Sequence, residues 1–210
     1  LDEKMRTSVV NTLLVINGLV FLAELINAGP LIELFALWPY GLLAPSGPQD
    51  GGYLFRPWQM VTYAFLHGSI MHVFLNMYAL WLFGSRLEDV WGGRRFGVYY
   101  FTCVLGAAFT QLVVSEIALL QGEPAYPVLG ASGGVFGVLL AFGLLFPETR
   151  LFLLFPPLPI KAKWFVLGYG AVELIAGVTG TVEGVAHFAH LGGMLTGWLL
   201  LLYWRGGRRW

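Results

Sequence analysis

Six mostly apolar stretches, at roughly 8–28, 69–86, 94–119, 131–147, 163–178 and 186–204, run through this 210-residue chain, and charged or Gly/Pro-rich breaks separate them. Each approaches the roughly 20 apolar residues that a helix needs to cross about 30 Å of hydrocarbon at about 1.5 Å per residue. Strands of a membrane barrel alternate apolar and polar residues, and these segments do not. Composition agrees: 57% of residues are hydrophobic and 11% charged, against about 25% charged in soluble domains. A soluble fold would lack polar surface to cover itself, and disorder needs low hydrophobicity and high charge. The expected class is an all-α polytopic membrane protein, a single six-helix domain over 1–210. Twelve Lys+Arg balance twelve Asp+Glu, which leaves no basic excess for nucleic-acid phosphates. The lone cysteine, Cys103, cannot form an internal disulfide.

The cations give a topology. With six crossings, Lys4, Arg6, Arg86, Arg94, Arg95, Arg150, Lys161, Lys163, Arg205, Arg208 and Arg209 share one side, and only Arg56 lies opposite. The positive-inside rule then puts both termini in the cytoplasm. The expected location is a prokaryotic plasma membrane, with the lipid bilayer as solvent. Small residues at Asn27-Ala28-Gly29 resemble a signal-peptide cleavage site, but the first span reads as retained. The chain begins with Leu1 rather than Met, the mark of a trimmed start. The external segment 29–68 is long and apolar for a loop (Leu31, Leu34, Trp38, Tyr40). It reads as short interfacial structure with Trp and Tyr at headgroup level.

Against this background the polar residues stand out. His67, His72, His187 and His190 all sit at the external ends of spans two and six, and an ionisable group in lipid is costly enough to raise a functional hypothesis. His72 and Asn76 are four apart, hence on one helical face. Ser132 lies among small residues at the start of span four, and His190 at the start of span six. Ser132, His190 and His72 each lie about 21–22 Å of helix from the basic side, so they share a depth several Å inside the outer edge of the core. Span four is too short to cross alone, so residues 116–130 are expected to dip inward, where protein or water satisfies the backbone.

The spacings Gly130/Gly134, Gly133/Gly137 and Gly193/Gly197 allow close helix approach, which a Ser-to-His hydrogen bond requires. Ser132 is then the candidate nucleophile and His190 the general base. His72, Asn76 and the backbone N–H groups of Ser132 and Gly133 are the candidate oxyanion donors. His67 and His187 read as structural or water-binding residues. Glu24 and Glu173 lie inside spans with no partner evident in the sequence.

These residues, in this order, resemble the rhomboid intramembrane serine proteases, in the six-helix prokaryotic form. Residues 65–77, with His67, His72 and Asn76, are similar to the family's second-helix motif. Leu87-Glu88 with Gly92 and Phe96 resembles the following turn. Gly130-Ala131-Ser132-Gly133 resembles its GxSG motif, and Ala189-His190-Leu191-Gly192-Gly193 its AHxxG motif. The resemblance covers about residues 58–200. It implies a Ser132–His190 dyad without an acidic third member, an oxyanion site from Ser132, His72 and Asn76, and an aromatic, here Phe136, packed on the histidine. It implies hydrolysis of peptide bonds in or beside transmembrane segments that enter laterally, through an acyl-enzyme, with span five and the loop Gly177 to Gly184 as gate and cap. Where the family often has Trp-Arg, this chain has Trp58-Gln59.

Neither a cofactor nor a metal is expected. A His-Glu-x-x-His motif is absent, and Asp2, Asp50 and Asp89 lie outside the spans, which disfavours zinc and aspartyl intramembrane proteases. Two non-enzymatic readings stay open: a transporter using the four histidines for protons or metal, and a rhomboid-like protein that binds transmembrane segments without cutting.

Overall fold

The computed structural model describes residues 8–41, 55–152, 158–180 and 186–206. Lys4, Arg6, Arg208, Arg209, Asp2, Asp50 and Gly184 lie outside the described residues. Each of the six apolar stretches is helical. Helix α1 is Val9–Phe35, followed by the short α2 (Gln59–Thr62) and a tight 3-10 turn, Tyr63–Phe65. A second rod runs through α3 (Ile70–Ala79), a π-type turn (Leu80–Gly84) and α4 (Ser85–Trp91). Then come α5 (Gly93–Leu120), α6 (Ser132–Leu145), α7 (Ala162–Thr179) and α8 (His187–Gly206). By length and apolarity alone, α1 and α5 qualify as membrane-crossing helices. A third qualifies if Gln59–Phe65 and Ile70–Trp91, bent by 100°, count as one span.

The fold is mostly helical, consistent with an all-α class, and one short hairpin interrupts it among the described residues. Strands β1 (Arg150–Phe152) and β2 (Pro159–Lys161) pair antiparallel, with Arg150 opposite Lys161 and Phe152 opposite Pro159. Three-residue strands are too short to show an alternating pattern, and so read as a polar break. Glu148 ties this hairpin to the start of α7 through Lys161 (2.6 Å) and Lys163.

The first connection also differs from a purely interfacial loop. Helix α1 kinks at Asn27, whose backbone leaves the helical region (φ −156°, ψ 88°) three residues before Pro30, and resumes to Phe35. Proline removes a backbone donor and crowds the turn before it, which accounts for the kink. Trp38 is buried rather than presented to headgroups. Gln59 is fully buried and organises the turn: its side-chain carbonyl accepts from the N–H groups of Arg56 (3.0 Å) and Trp38 (3.4 Å), and its amide donates to the Leu34 carbonyl (3.4 Å). The end of the α5–α6 connection is held by the same region. Leu37 and Val128 exchange backbone hydrogen bonds (2.8 and 2.9 Å), and Gly130 N–H donates to the Tyr63 carbonyl (2.9 Å).

The tightest packing joins α5, α6 and α8, and glycine makes it possible. A Cβ on Gly193 would collide with the Gly133 carbonyl, one on Gly133 with Ala107, and one on Gly137 with Cys103. A Cβ on Gly134 would lie 2.6 Å from the Tyr100 ring. In lipid, where burial gives little drive for helices to associate, such close backbone approach supplies the van der Waals contact that holds them.

Candidate active site

Two helix N-termini and one helix face converge here. Ser132 is the first residue of α6 and His190 lies in the first turn of α8. The α6–α8 contact brings Ser132 Oγ to 2.8 Å from His190 Nε2. The imidazole is buried, and Phe136, one turn along α6 from Ser132, stacks on it at 4.2 Å between centroids and 6° between planes. The stack continues through Tyr169 (5.2 Å from Phe136) to Phe165 of α7 (5.7 Å from Tyr169). The ring is thus held by α6 and, through α6, by α7.

Gly130 has φ +128°, a region that side chains rarely adopt. A Cβ there would sit 2.8 Å from His72 Nε2 and 3.7 Å from Ser132 Oγ. The bare Cα therefore lets the His72 imidazole lie against the backbone leading into Ser132. At the start of α6 there is no side-chain cap, and in the first helical hydrogen bond the Val135 N–H donates to the Ala131 carbonyl. The N–H groups of Ser132 and Gly133 precede it, so they are among the orphan donors that a helix N-terminus offers to negative charge.

Asn76 is arranged differently from the expectation. Its side-chain amide donates to the His72 carbonyl four residues earlier (2.9 Å), and no hydrogen bond joins it to Ser132 or His190 among the described residues. An i−4 back-bond of this kind satisfies a polar side chain within its own helix. His67 is almost fully buried, and its ring lies edge-on to His72 at 5.0 Å. Its backbone N–H donates to the Glu24 carboxylate (3.0 and 3.2 Å), which gives that intrahelical carboxylate its partner.

Glu173 also finds partners that the sequence does not announce. Its Oε2 lies 2.7 Å from His187 Nδ1 and 2.8 Å from His190 Nδ1, with all three side chains buried. The two histidines have no carboxylate near them in sequence, and the fold supplies one from α7. The expectation of no acidic neighbour is therefore corrected: the Glu173 carboxylate lies against the His190 ring. The donor atoms of Glu173, His187 and His190 lie within 4.8 Å of one another, so among the described residues these three could hold a cation. Hydrogen bonds to the shared oxygen already account for both Nδ1 atoms.

The site thus joins a serine hydroxyl to an imidazole, beside orphan N–H groups, inside an apolar helix bundle. The Rhomboid domain model matches residues 55–206. This chain belongs to the rhomboid family. The rhomboid relatives include "Rhomboid protein 1, mitochondrial" of Saccharomyces cerevisiae, 33% identical over 141 residues, covering 64% of this chain and 38% of that protein. "Presenilin-associated rhomboid-like protein, mitochondrial" of Homo sapiens is 34% identical over 142 residues, covering 66% of this chain and 35% of the relative. "RHOMBOID-like protein 4" of Arabidopsis thaliana is 32% identical over 143 residues, covering 68% and 33%. The matches thus span about a third of these relatives' own lengths.

These relatives correct one expectation. They are eukaryotic, and two are mitochondrial by name, which overturns the assignment of this rhomboid to a prokaryotic plasma membrane. The physical reason is that a charge asymmetry fixes which chain segments share a side and is silent about which membrane they cross.

Proposed function

We propose that this chain is an intramembrane serine endopeptidase that hydrolyses peptide bonds in or next to the transmembrane segments of other proteins. The 2.8 Å contact between Ser132 Oγ and His190 Nε2 carries the reading. Ser132 attacks the scissile carbonyl carbon as its hydroxyl proton passes to His190 Nε2. The N–H groups of Ser132 and Gly133, with the His72 imidazole beside them, stabilise the oxyanion. Collapse of the tetrahedral species breaks the C–N bond, and His190 returns the proton to the departing amine. Water, deprotonated by the same imidazole, then releases the acyl group from Ser132.

The reading includes six membrane crossings, with a substrate that enters laterally and unwinds to expose its carbonyls. Helix α7 is the gate, because its outward face is apolar (Trp164, Leu167, Val172, Ile175) and it ends at Gly180, φ +64°. Asn76 joins the oxyanion site by exchanging its bond to the His72 carbonyl for one to the substrate.

The test is cleavage of a transmembrane reporter by purified protein. Wild type cleaves, while Ser132→Ala and His190→Ala show no turnover; full cleavage by either variant would sink the reading. The Glu173, His187 and His190 cluster gives metal transport a specific observation in its favour. Covalent labelling of Ser132 by a fluorophosphonate supports the protease, whereas metal-dependent flux without labelling supports transport. Substrate co-purification without turnover would indicate a binding protein instead.

A further inference from the structure

Glu173 is an ionisable residue inside the apolar helix α7, where a carboxylate is expensive unless paired. One of its oxygens faces two imidazole nitrogens, and one of those rings touches Ser132 through its other nitrogen. Resting on the protease reading above, we propose that Glu173 is a positioning residue that fixes the tautomer and the aim of His190.

A carboxylate only accepts hydrogen bonds, whereas a neutral imidazole has one donating and one accepting nitrogen. With Oε2 at 2.8 Å from Nδ1, the proton belongs on Nδ1, so the Nε2 lone pair faces Ser132 Oγ at 2.8 Å. The other tautomer sets the Nδ1 lone pair against a carboxylate lone pair and points Nε2–H at the hydroxyl. That form cannot take a proton from Ser132.

During the reaction the Oγ–H proton moves to Nε2, the Nδ1–H stays in place, and Glu173 remains ionised beside the imidazolium. The proton leaves on the amine, and the cycle closes with no net change at Glu173. His187, one helical turn before His190, donates to the same oxygen and so holds the carboxylate in line. Phe136 fixes the ring plane and Glu173 fixes its rotation within that plane. The device links α7 to the base directly, so any displacement of α7 withdraws the carboxylate.

The test compares full-chain wild type, Glu173→Gln, Glu173→Leu and Ser132→Ala in the reporter assay, with separate kcat and KM, fluorophosphonate labelling rates and melting temperatures. Glu173→Leu removes the acceptor, and kcat is expected to fall by about 100-fold or more, as loss of a tautomer-fixing carboxylate does elsewhere. KM stays within about threefold, because Glu173 touches no substrate. Labelling of Ser132 slows in parallel. Glu173→Gln keeps an acceptor oxygen without the charge and retains an intermediate kcat, a partial rescue that a packing role would not produce. Should Glu173→Leu fail to fold, Glu173→Gln carries the test, and a kcat within twofold of wild type overturns the inference. A folded Glu173→Leu protein with kcat within threefold of wild type overturns it too. If Ser132→Ala is inactive while Glu173→Leu is normal, only the Glu173 assignment fails. An active Ser132→Ala protein removes the protease reading itself.

Discussion

Phe136 is the residue whose chemistry is simplest to isolate, because it offers the His190 ring a flat apolar face and no hydrogen bond. Its near-parallel stack at 4.2 Å limits ring tilt, and Tyr169 backs it from the other side. Aromatic pairs contribute about 0.5–1.5 kcal/mol beyond their burial, so Phe136→Leu is expected to lower kcat by about 3- to 10-fold with little change in KM. Phe136→Tyr keeps the face and stays near wild type. Steady-state kinetics check this, and a Phe136→Leu enzyme with unchanged kcat would show that the stack does not restrain the base. At this scale the sequence singled out Ser132, His190, His72 and Phe136 through short motifs, and the structure brings them together. Glu173 and Glu24 were illegible: what pairs them is the approach of α7 to α8 and of α1 to the segment before α3, and no sequence spacing encodes it. The one available signal is a carboxylate inside an apolar run, which demands a partner without saying which.

Helix extents were legible to within a few residues in most cases, since an apolar run bounded by charge or Gly/Pro fixes them. Continuation of α1 beyond Asn27 was not, because a proline at position 30 reads as a stop although here it only kinks the helix. The small-residue spacings were also legible, and the structure shows how differently individual glycines are used. Gly193 has the Gly133 backbone against it, whereas Gly18 of α1 has nothing within 4 Å of an added Cβ. Gly193→Ala is therefore expected to force α6 and α8 apart, costing about 1–3 kcal/mol of stability and most of the activity. Gly18→Ala is expected to be neutral or stabilising by up to about 1 kcal/mol. Thermal unfolding in detergent separates the two, and equal effects would mean that the α6–α8 approach is slack.

The hairpin before α7 gives an element-scale dependence on pH. Hydrogen bonds from Lys161 and then Lys163 hold the Glu148 carboxyl down from 4.5 to about 2. A depressed carboxyl pKa adds stability that is complete above about 4.5 and fades as pH falls toward about 2. The group is exposed, so the contribution is small and screened by salt. Glu148→Gln is expected to lower the melting temperature slightly near pH 6 at low ionic strength, with the gap closing near pH 2. A gap of equal size at both pH values would assign it to hairpin packing instead of the ion pair.

At the scale of the whole molecule, the helix ends sort into two sets. Glu88 of α4 accepts from the first N–H groups of α1 (Val9 at 2.7 Å, Val10 at 3.0 Å). Arg86 lies over Phe146 at the end of α6 (5.6 Å), and Arg95 at the start of α5 over Trp204 near the end of α8 (4.3 Å). Glu148 adds the start of α7. The described cations other than Arg56 therefore gather at one end, while Ser132, His190 and His72 occupy the first turns of their helices at the other. The weakest member of a six-crossing arrangement is α6, whose 14 residues span only about 21 Å, less than an approximately 30 Å core. It crosses only if the preceding segment brings its start inward, as the backbone bonds of Val128 and Gly130 allow. Exposed positions Glu123 and Arg150 flank this one helix, and the sole native cysteine, Cys103, is fully buried. Glu123→Cys and Arg150→Cys, in sealed vesicles of uniform orientation, are expected to react with an impermeant maleimide from opposite sides. One labels at once and the other only after permeabilisation. Labelling of both from the same side would make α6 re-entrant, which would move Arg150, Lys161 and Lys163 to the other face and break the charge asymmetry on which the six-crossing topology rests.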